Sequence, residues 1–546
     1  MNKKILEMIS LCVAICLMLS GCVYTLKYRR LPAYLDQGNE TTSQTDSSSE
    51  IVDSSEIADS SDSSSSSNES SDVSHNSSEP GKNEGSSTPS VPSVPSVPDA
   101  DNPIGYNVMR SPFNTDKTTY ASWIMFWNAS SESWHNPYDS SGARILVDGK
   151  WVSIDWDSPT QLRMHLTNMK KAGIELILCD ITNGFHSYIL DRTDRVQELC
   201  AELGLKMAVC AGNTDNAGFE ERAKITWERF AGDQAKYKDT YFKKDGKPVF
   251  VDYTWRTQFD EVSQMKTPYL SKFTQVWASG EDPDINKWGW QVTTTIGTVP
   301  SDDTMFVTSS LKWSIDEWAW TKSLAFLDYN FLMAAKSQPE ILIVGSYDDL
   351  YERNSWMPVD TTNASRSYQM IDIYGNVSIN AYYNRVQQWL KTGPKTVSGG
   401  ILKDGAYKLK NANSGLILGT NNLQFSNELI LSQVEPSGNL NDYVWLYHLG
   451  NNEYRVVRLS SGRSLSVSGY DKSEDGYIMQ ELDNNLLVQR WKITKVGNNY
   501  KIMNMYTEKY LDVENSDRAV DAFLVQKSSS QSLSQQWKFE PVAVIG

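Results

Sequence analysis

The stretch ILIVGSYDDLYERNSWMP, residues 341–358, runs from four apolar residues straight into Asp348, Asp349 and Glu352. A strand buried on both faces must be apolar, and in a parallel barrel its C-terminal end opens into the loops where chemistry sits. The stretch therefore reads as a strand over 341–344 followed by an acidic loop over 345–356. Asp349 and Glu352 stand three residues apart there, close enough to face one substrate bond from two sides. Two such carboxylates divide the roles of acid and base when one environment raises the pKa of its member and the other keeps its member ionised; glycoside hydrolysis needs that division. A merely solvated acidic loop has the same D-x-x-E spacing, so the surrounding sequence must decide.

Outward from that stretch, residues 118–400 alternate short apolar runs with amphipathic ones: YASWIMFW, LRMHLTNMKKAG, IELILCD, RVQELCAELG and LKMAVCAG. Further apolar runs follow at GKPVFVDY, FTQVWAS, KWGWQV, TMFVTSS and ILIVGS. The rhythm is that of strand and helix repeated. About eight strands predict an α/β fold, a (β/α)8 TIM-type barrel over residues 103–400, with an open doubly wound sheet as the alternative. No Gly-rich nucleotide fingerprint, H-E-x-x-H, Cys/His metal spacing or G-x-S-x-G elbow is present, so neither a cofactor nor a metal is expected.

SYDDLYERNSWMP resembles the strand-end motif of glycoside hydrolase families 71 and 99, the α-1,3-glucanases and endo-α-mannosidases. Ser346, Tyr347, Asp348, Asp349, Glu352 and Pro358 take the motif's places, with Asp348 where those families have Asn. NMKKAGIELILCDITNG is similar to their early strand and KKDGKPVFVDY to their middle strand, so the likeness spans roughly residues 118–392. It implies Asp349 and Glu352 as the catalytic pair of an endo-acting hydrolase of α-linked glucan or mannan; Asp348 and Tyr351, where the chain departs from those families, are candidate substrate contacts beside them.

Other candidates follow from where strands end. Asp180 closes IELILCD, with Asn183 and His186 just beyond, which places a polar cluster on the same rim as Asp349. Trp127, Trp134, Tyr253, Trp255 and Trp277 fall at or after strand ends, where flat faces can stack on pyranose rings. His165 lies beside the apolar face of Leu162, Leu166 and Met169 and reads as structural.

Residues 404–541 repeat with a period near 45: GAYKLKNANSGLILG, NEYRVVRLSSGRSLSVSG and NNYKIMNMYTEKYLDVEN. Each repeat ends in a Trp, in DYVWLY, VQRWKI and SQQWKF, which predicts an all-β β-trefoil of three four-strand lobes; a propeller or other β array would also fit the period. Gln489 to Trp491 and Gln535 to Trp537 resemble the Q-x-W of ricin-type lectin modules. The resemblance implies that the Gln-x-Trp is largely structural and that Asp512 binds sugar in lobe three, with Gln535 counted at that site, whereas lobe two has Ser466 and lobe one Gly419 at the position of Asp512. Lys527 stands where related lectins place a stacking aromatic.

The N-terminus is of another kind. Two lysines and the apolar run ILEMISLCVAICLML have the layout of an export signal over residues 1–21. Leu19, Ser20, Gly21 and Cys22 resemble the bacterial lipobox, which implies lipidation of Cys22 and anchoring on the outer face of the membrane. Residues 40–102 hold thirteen acidic residues against one lysine and end in VPSVPSVP, so the segment following Cys22, to residue 102, is expected to be a disordered tether. Most of the net charge of −16 lies there, and no basic patch recommends a nucleic-acid partner. Beyond Cys22 only Cys179, Cys200 and Cys210 remain, which reads as core thiols rather than a disulfide framework. Two readings emerge: a lipid-anchored glycoside hydrolase with an attached lectin module, or a non-catalytic carbohydrate-binding surface adhesin.

Overall fold

The structure, a computed structural model, describes residues 105–107, 110–114, 116–126, 143–182, 184–279, 288–289, 304–310, 322–350, 353–364, 368–421, 424 and 426–546, all within one compact unit. The expected export signal, Cys22 and the tether lie outside the described residues, as do Trp127, Trp134, Asn183, Tyr351 and Glu352.

Seven parallel strands form the first sheet: β1 (Thr119–Ile124), β2 (Leu176–Asp180), β3 (Lys206–Gly212), β4 (Lys247–Tyr253), β5 (Thr274–Ala278), β6 (Thr304–Val307) and β7 (Ile341–Ser346). Their order is β6-β7-β1-β2-β3-β4-β5, with the short strand Lys243–Lys244 antiparallel to β4. Helices α1 (Pro159–Ala172), α2 (Ser187–Leu203), α3 (Asn216–Thr226), α4 (Arg256–Val262) and α5 (Leu324–Ser337) stand between strands, and α6 (Ala381–Gln387) follows the last. The order is a cyclic permutation of chain order in which the last strand pairs with the first. The link from β5 to β6 would complete a ring, but the KWGWQV run lies outside the described residues apart from Trp288 and Gly289. A closed barrel is thus not shown.

Local chemistry explains the elements. Helix α1 starts where the Ser158 side chain accepts from the Gln161 amide and Pro159 presets the first turn, and it ends at Gly173 in the left-handed region, φ 115°. Leu162, Leu166 and Met169 bury one stripe of it, each contributing about 1.5–3 kcal/mol. His165 is buried in the same face, stacked on Trp156 with Nδ1 3.3 Å from the Tyr347 hydroxyl, which agrees with a structural role. Cys179, Cys200 and Cys210 are free and buried.

One irregularity positions the acidic loop. Ile343 pairs with Ala121 but Ser346 with Trp123, so β7 carries an extra residue relative to β1. Gly345 sits in this bulge, where a Cβ would lie 2.9 Å from the Asn354 carbonyl oxygen. Bulges bend a strand and redirect the side chains that follow, here Ser346 to Asp349.

The C-terminal part is a β-trefoil. Strands β8 (Gly405–Asn411), β11 (Val444–Gly450), β12 (Glu453–Arg458), β15 (Arg490–Val496), β16 (Asn499–Asn504) and β19 (Trp537–Val544) pair in a closed antiparallel ring, with β19 returning to β8. Three hairpins extend from it: β9 (Ile417–Gly419) with β10 (Ser432–Val434), β13 (Ser464–Val467) with β14 (Ile478–Glu481), and β17 (Tyr510–Val513) with β18 (Leu524–Lys527). Trp445, Trp491 and Trp537 are fully buried. Trp491 Nε1 donates to the Leu465 carbonyl at 3.0 Å and Trp537 Nε1 to the Leu511 carbonyl at 3.1 Å, the same bond repeated one lobe on.

Candidate functional sites

The first candidate site lies at the C-terminal ends of the parallel strands. Asp180 ends β2; its Oδ1 accepts from the Thr182 amide at 2.8 Å. Burial pushes its carboxyl up to about 6, the Thr182 hydrogen bonds oppose that rise, and the nearby Asp349 charge adds to it. Asp349 is fully buried. Lys322 is near enough to feel the Asp349 charge, and its ammonium donates to the Arg353 and Ser355 carbonyls and rests 4.5 Å from the Tyr382 ring centroid. Burial lowers the Lys322 pKa to about 7 against the pull of Asp349. Asp180 and Lys322 are therefore two buried titratable groups that both feel the Asp349 charge, the kind of clustering that marks a candidate site.

Asp252, the next-to-last residue of β4, was not singled out by the sequence reading. It is 0 % exposed, neither carboxyl oxygen has a hydrogen-bond partner among the described residues, and burial alone raises its pKa well above the usual carboxylate range. The signal was present, because GKPVFVDY carries an acidic residue next to its end, much as IELILCD carries one at its end.

Several predicted contacts are placed differently. Asp348 Oδ1 accepts from the Met125 amide at 2.8 Å and its side chain is buried, so it ties the acidic loop to the end of β1 instead of facing substrate. Trp277 is buried, its Nε1 donating to the Thr254 carbonyl at 2.8 Å and its ring packed on Phe259; it offers no free face to a sugar. Tyr253 is half-buried against the core. His186 is exposed and stacks on Tyr188 at 5.8 Å, and Trp255 is 59 % exposed.

The second candidate site belongs to the trefoil, where the three lobes differ at one position. Gly419 of lobe one has no space beside it, since a Cβ would lie 2.6 Å from Val434 Cγ2. Asp512 of lobe three is buried, with Oδ1 accepting from the Val513 amide at 2.7 Å. Lys527, opposite Tyr510 in the hairpin, ion-pairs with Asp475 at 2.9 Å and also feels the Asp512 charge. Gln535 is buried with both amide ends used, Oε1 by the Ser530 amide and Nε2 by the Ser528 carbonyl, each at 2.8 Å. It braces its loop and faces no ligand; Gln489 does the same for Asn484 and Leu482.

Lobe two holds a cavity of about 470 Å³ lined by Asn427, Glu428, Tyr470, Met479, Glu481 and Asn484 among others. Ser466 Oγ donates to Glu481 Oε2 at 2.5 Å, so the carboxylate at this lobe comes from β14 rather than from the strand that carries Asp512 in lobe three. Tyr470 follows Gly469, both in the left-handed region, and is 38 % exposed. Sequence reasoning passed over it because the carboxylate is displaced by one strand. Among the described residues no group of side chains is arranged to hold a metal ion.

Comparison with known proteins agrees with this part of the fold. Residues 487–544 match the model of the ricin-type β-trefoil lectin domain-like family. The chain thus carries a ricin-type lectin-like domain at its C-terminus. Among solved structures, the designed three-fold symmetric protein ThreeFoil is 31 % identical over 25 % of this chain and 99 % of its own, with a TM-score of 0.25. An exo-β-1,3-galactanase from Clostridium thermocellum is 26 % identical over 28 % of this chain and 33 % of its own, TM-score 0.24. The ricin B-like lectin of Macrolepiota procera, solved with lactose, is 16 % identical over 26 % of this chain and 99 % of its own, TM-score 0.22. No curated protein matches the chain.

Proposed function

We propose that this protein is a carbohydrate-binding protein of the cell surface, held there by a lipid on Cys22 through the Ser-rich segment that follows it, with its trefoil as the glycan-binding part. The observation that carries the reading is the lobe-two cavity, which is lined by the exposed Tyr470, by Glu481 and by Asn427 and Asn484. A pyranose needs such a combination, an apolar face against its C–H groups and polar groups for its hydroxyls. The family match over residues 487–544 supports it. A glycan array probed with the full chain tests it: retention of saccharides by the wild type and loss in Tyr470→Ala are expected, and no retention by the wild type overturns it.

A second reading, a glycoside hydrolase acting on α-linked glucan or mannan, has its own support in the buried carboxyls Asp180, Asp252 and Asp349 at the ends of parallel strands. It takes the parallel strands as a (β/α)8 barrel and Asp349 and Glu352 as acid and base. Asp349→Asn and Glu352→Gln should each lower oligosaccharide release by about a hundredfold or more. Failure of the wild type to release product from any α-glucan, α-mannan or glycoprotein glycan leaves the binding reading alone.

A further inference from the structure

The segment Leu429–Ile430 runs antiparallel to β14, with Leu429 opposite Gln480 and Ile430 opposite Met479. Glu428, the exposed turn residue just before Leu429, at φ 58°, lines the lobe-two cavity together with Glu481 and acts on it by its charge. Like charges that lie near one another disfavour the ionised form of each. Here the repulsion is felt: burial raises the Glu481 carboxyl, and the Glu428 charge raises it further against the hydrogen bond from Ser466. Among the described residues neither glutamate is joined in an ion pair, although Asn427, between Glu428 and the chain before it, is fixed by accepting from the Leu482 amide at 2.7 Å. The two carboxylates are therefore held together by the backbone, not by a cation of the protein.

A cation seated between them would remove the repulsion and gain two charge-assisted hydrogen bonds, which are about twice as strong as neutral ones. Tyr470 adds a ring face that attracts both the C–H side of a sugar and a positive charge. We infer that the lobe-two cavity selects saccharides bearing a protonated amine, 2-amino-2-deoxyhexose units, over neutral sugars and against acidic ones. This selectivity rests on the proposed glycan binding and adds to it the chemical class of the ligand. It also distinguishes the lobes: Lys527 puts a cation beside Asp512 in lobe three, so an aminosugar has no advantage there.

Calorimetric titration of the full chain with three trimers tests it: glucosamine, N-acetylglucosamine and maltotriose. The first two differ chiefly by the charge that acetylation removes. The wild type should bind the glucosamine trimer about tenfold more tightly than either other, a margin of about 1.4 kcal/mol. Glu481→Gln and Glu428→Gln should each shrink the margin, and together abolish it, while weak binding of the neutral trimers persists. Equal binding of the three by the wild type, or a margin that survives the double substitution, overturns the inference. Neutral binding that depends on Tyr470 without any preference overturns it too, yet leaves the carbohydrate reading standing. No binding of any trimer in this titration, together with no retention on the glycan array, removes both.

Discussion

Asp180 shows how one buried carboxyl makes stability depend on pH. Burial raises its folded pKa to about 6 from the ordinary aspartate value of 3.8, so between those values the folded chain binds more protons than the unfolded one. Stability conferred by such a raised acid is fully present below the lower value and falls as pH rises through the upper. The loss at neutral pH is about 3 kcal/mol, at about 1.36 kcal/mol for each pKa unit. Asn at this position keeps an acceptor for the Thr182 amide and cannot ionise. Asp180→Asn should therefore leave stability near pH 4 little changed and raise it near pH 7, with the difference opening between those limits. Urea midpoints of both proteins across that range measure it, and subtracting the curves removes the similar contribution of Asp252. A difference that is flat, or that opens toward acid, contradicts the placement of Asp180.

At the scale of elements, three buried glutamines one repeat apart hold the trefoil hairpins together. Gln433 Nε2 donates to the Asp517 and Ala519 carbonyls, Gln480 Nε2 to those of Gln424 and Ser426, and Gln526 Nε2 to those of Asp471 and Ser473. Each pair of bonds joins one hairpin to a loop of the neighbouring lobe. Gln480→Ala leaves two carbonyls without their donor and should cost about 1–3 kcal/mol, while Gln480→Glu should cost more because a carboxylate cannot donate. Thermal unfolding checks the order, and an alanine variant weaker than the glutamate one contradicts it. The trefoil was legible in the sequence because its period, its Trp residues and its Gln-x-Trp all report on local, repeated packing. The parallel strands were legible for the same reason, as apolar runs with polar ends. What escaped was set by pairing between distant strands: the bulge at Gly345 that precedes Asp349, the use of Asp348 to anchor Met125, and the approach of Glu428 to Glu481. No spacing in one segment encodes those contacts.

At the scale of the whole described structure, one buried carboxylate links the two parts. Asp328 of α5 accepts from Arg385 Nε at 2.7 Å and Nη2 at 2.8 Å, from Trp389 Nε1 at 2.6 Å, and from the Tyr447 hydroxyl at 2.9 Å. Tyr447 lies on β11 of the trefoil, while the other partners follow the parallel strands. The apolar core crosses the same boundary, since Leu440, Tyr443, Trp445 and Tyr447 belong to one buried cluster with the residues of β1 and β7. Shared burial of this kind makes two parts unfold together. Calorimetry of the wild type should show one main transition for the described residues. Asp328→Ala strands the buried Arg385 cation, and breaking such a pair from one side costs about 3–5 kcal/mol; the transition should fall in temperature and separate into two. Tyr447→Phe removes only the bond across the boundary and keeps the ring, so it should cost about 1 kcal/mol without separating them. Two transitions already present in the wild type would show that the core does not couple the parts, whatever Asp328 holds.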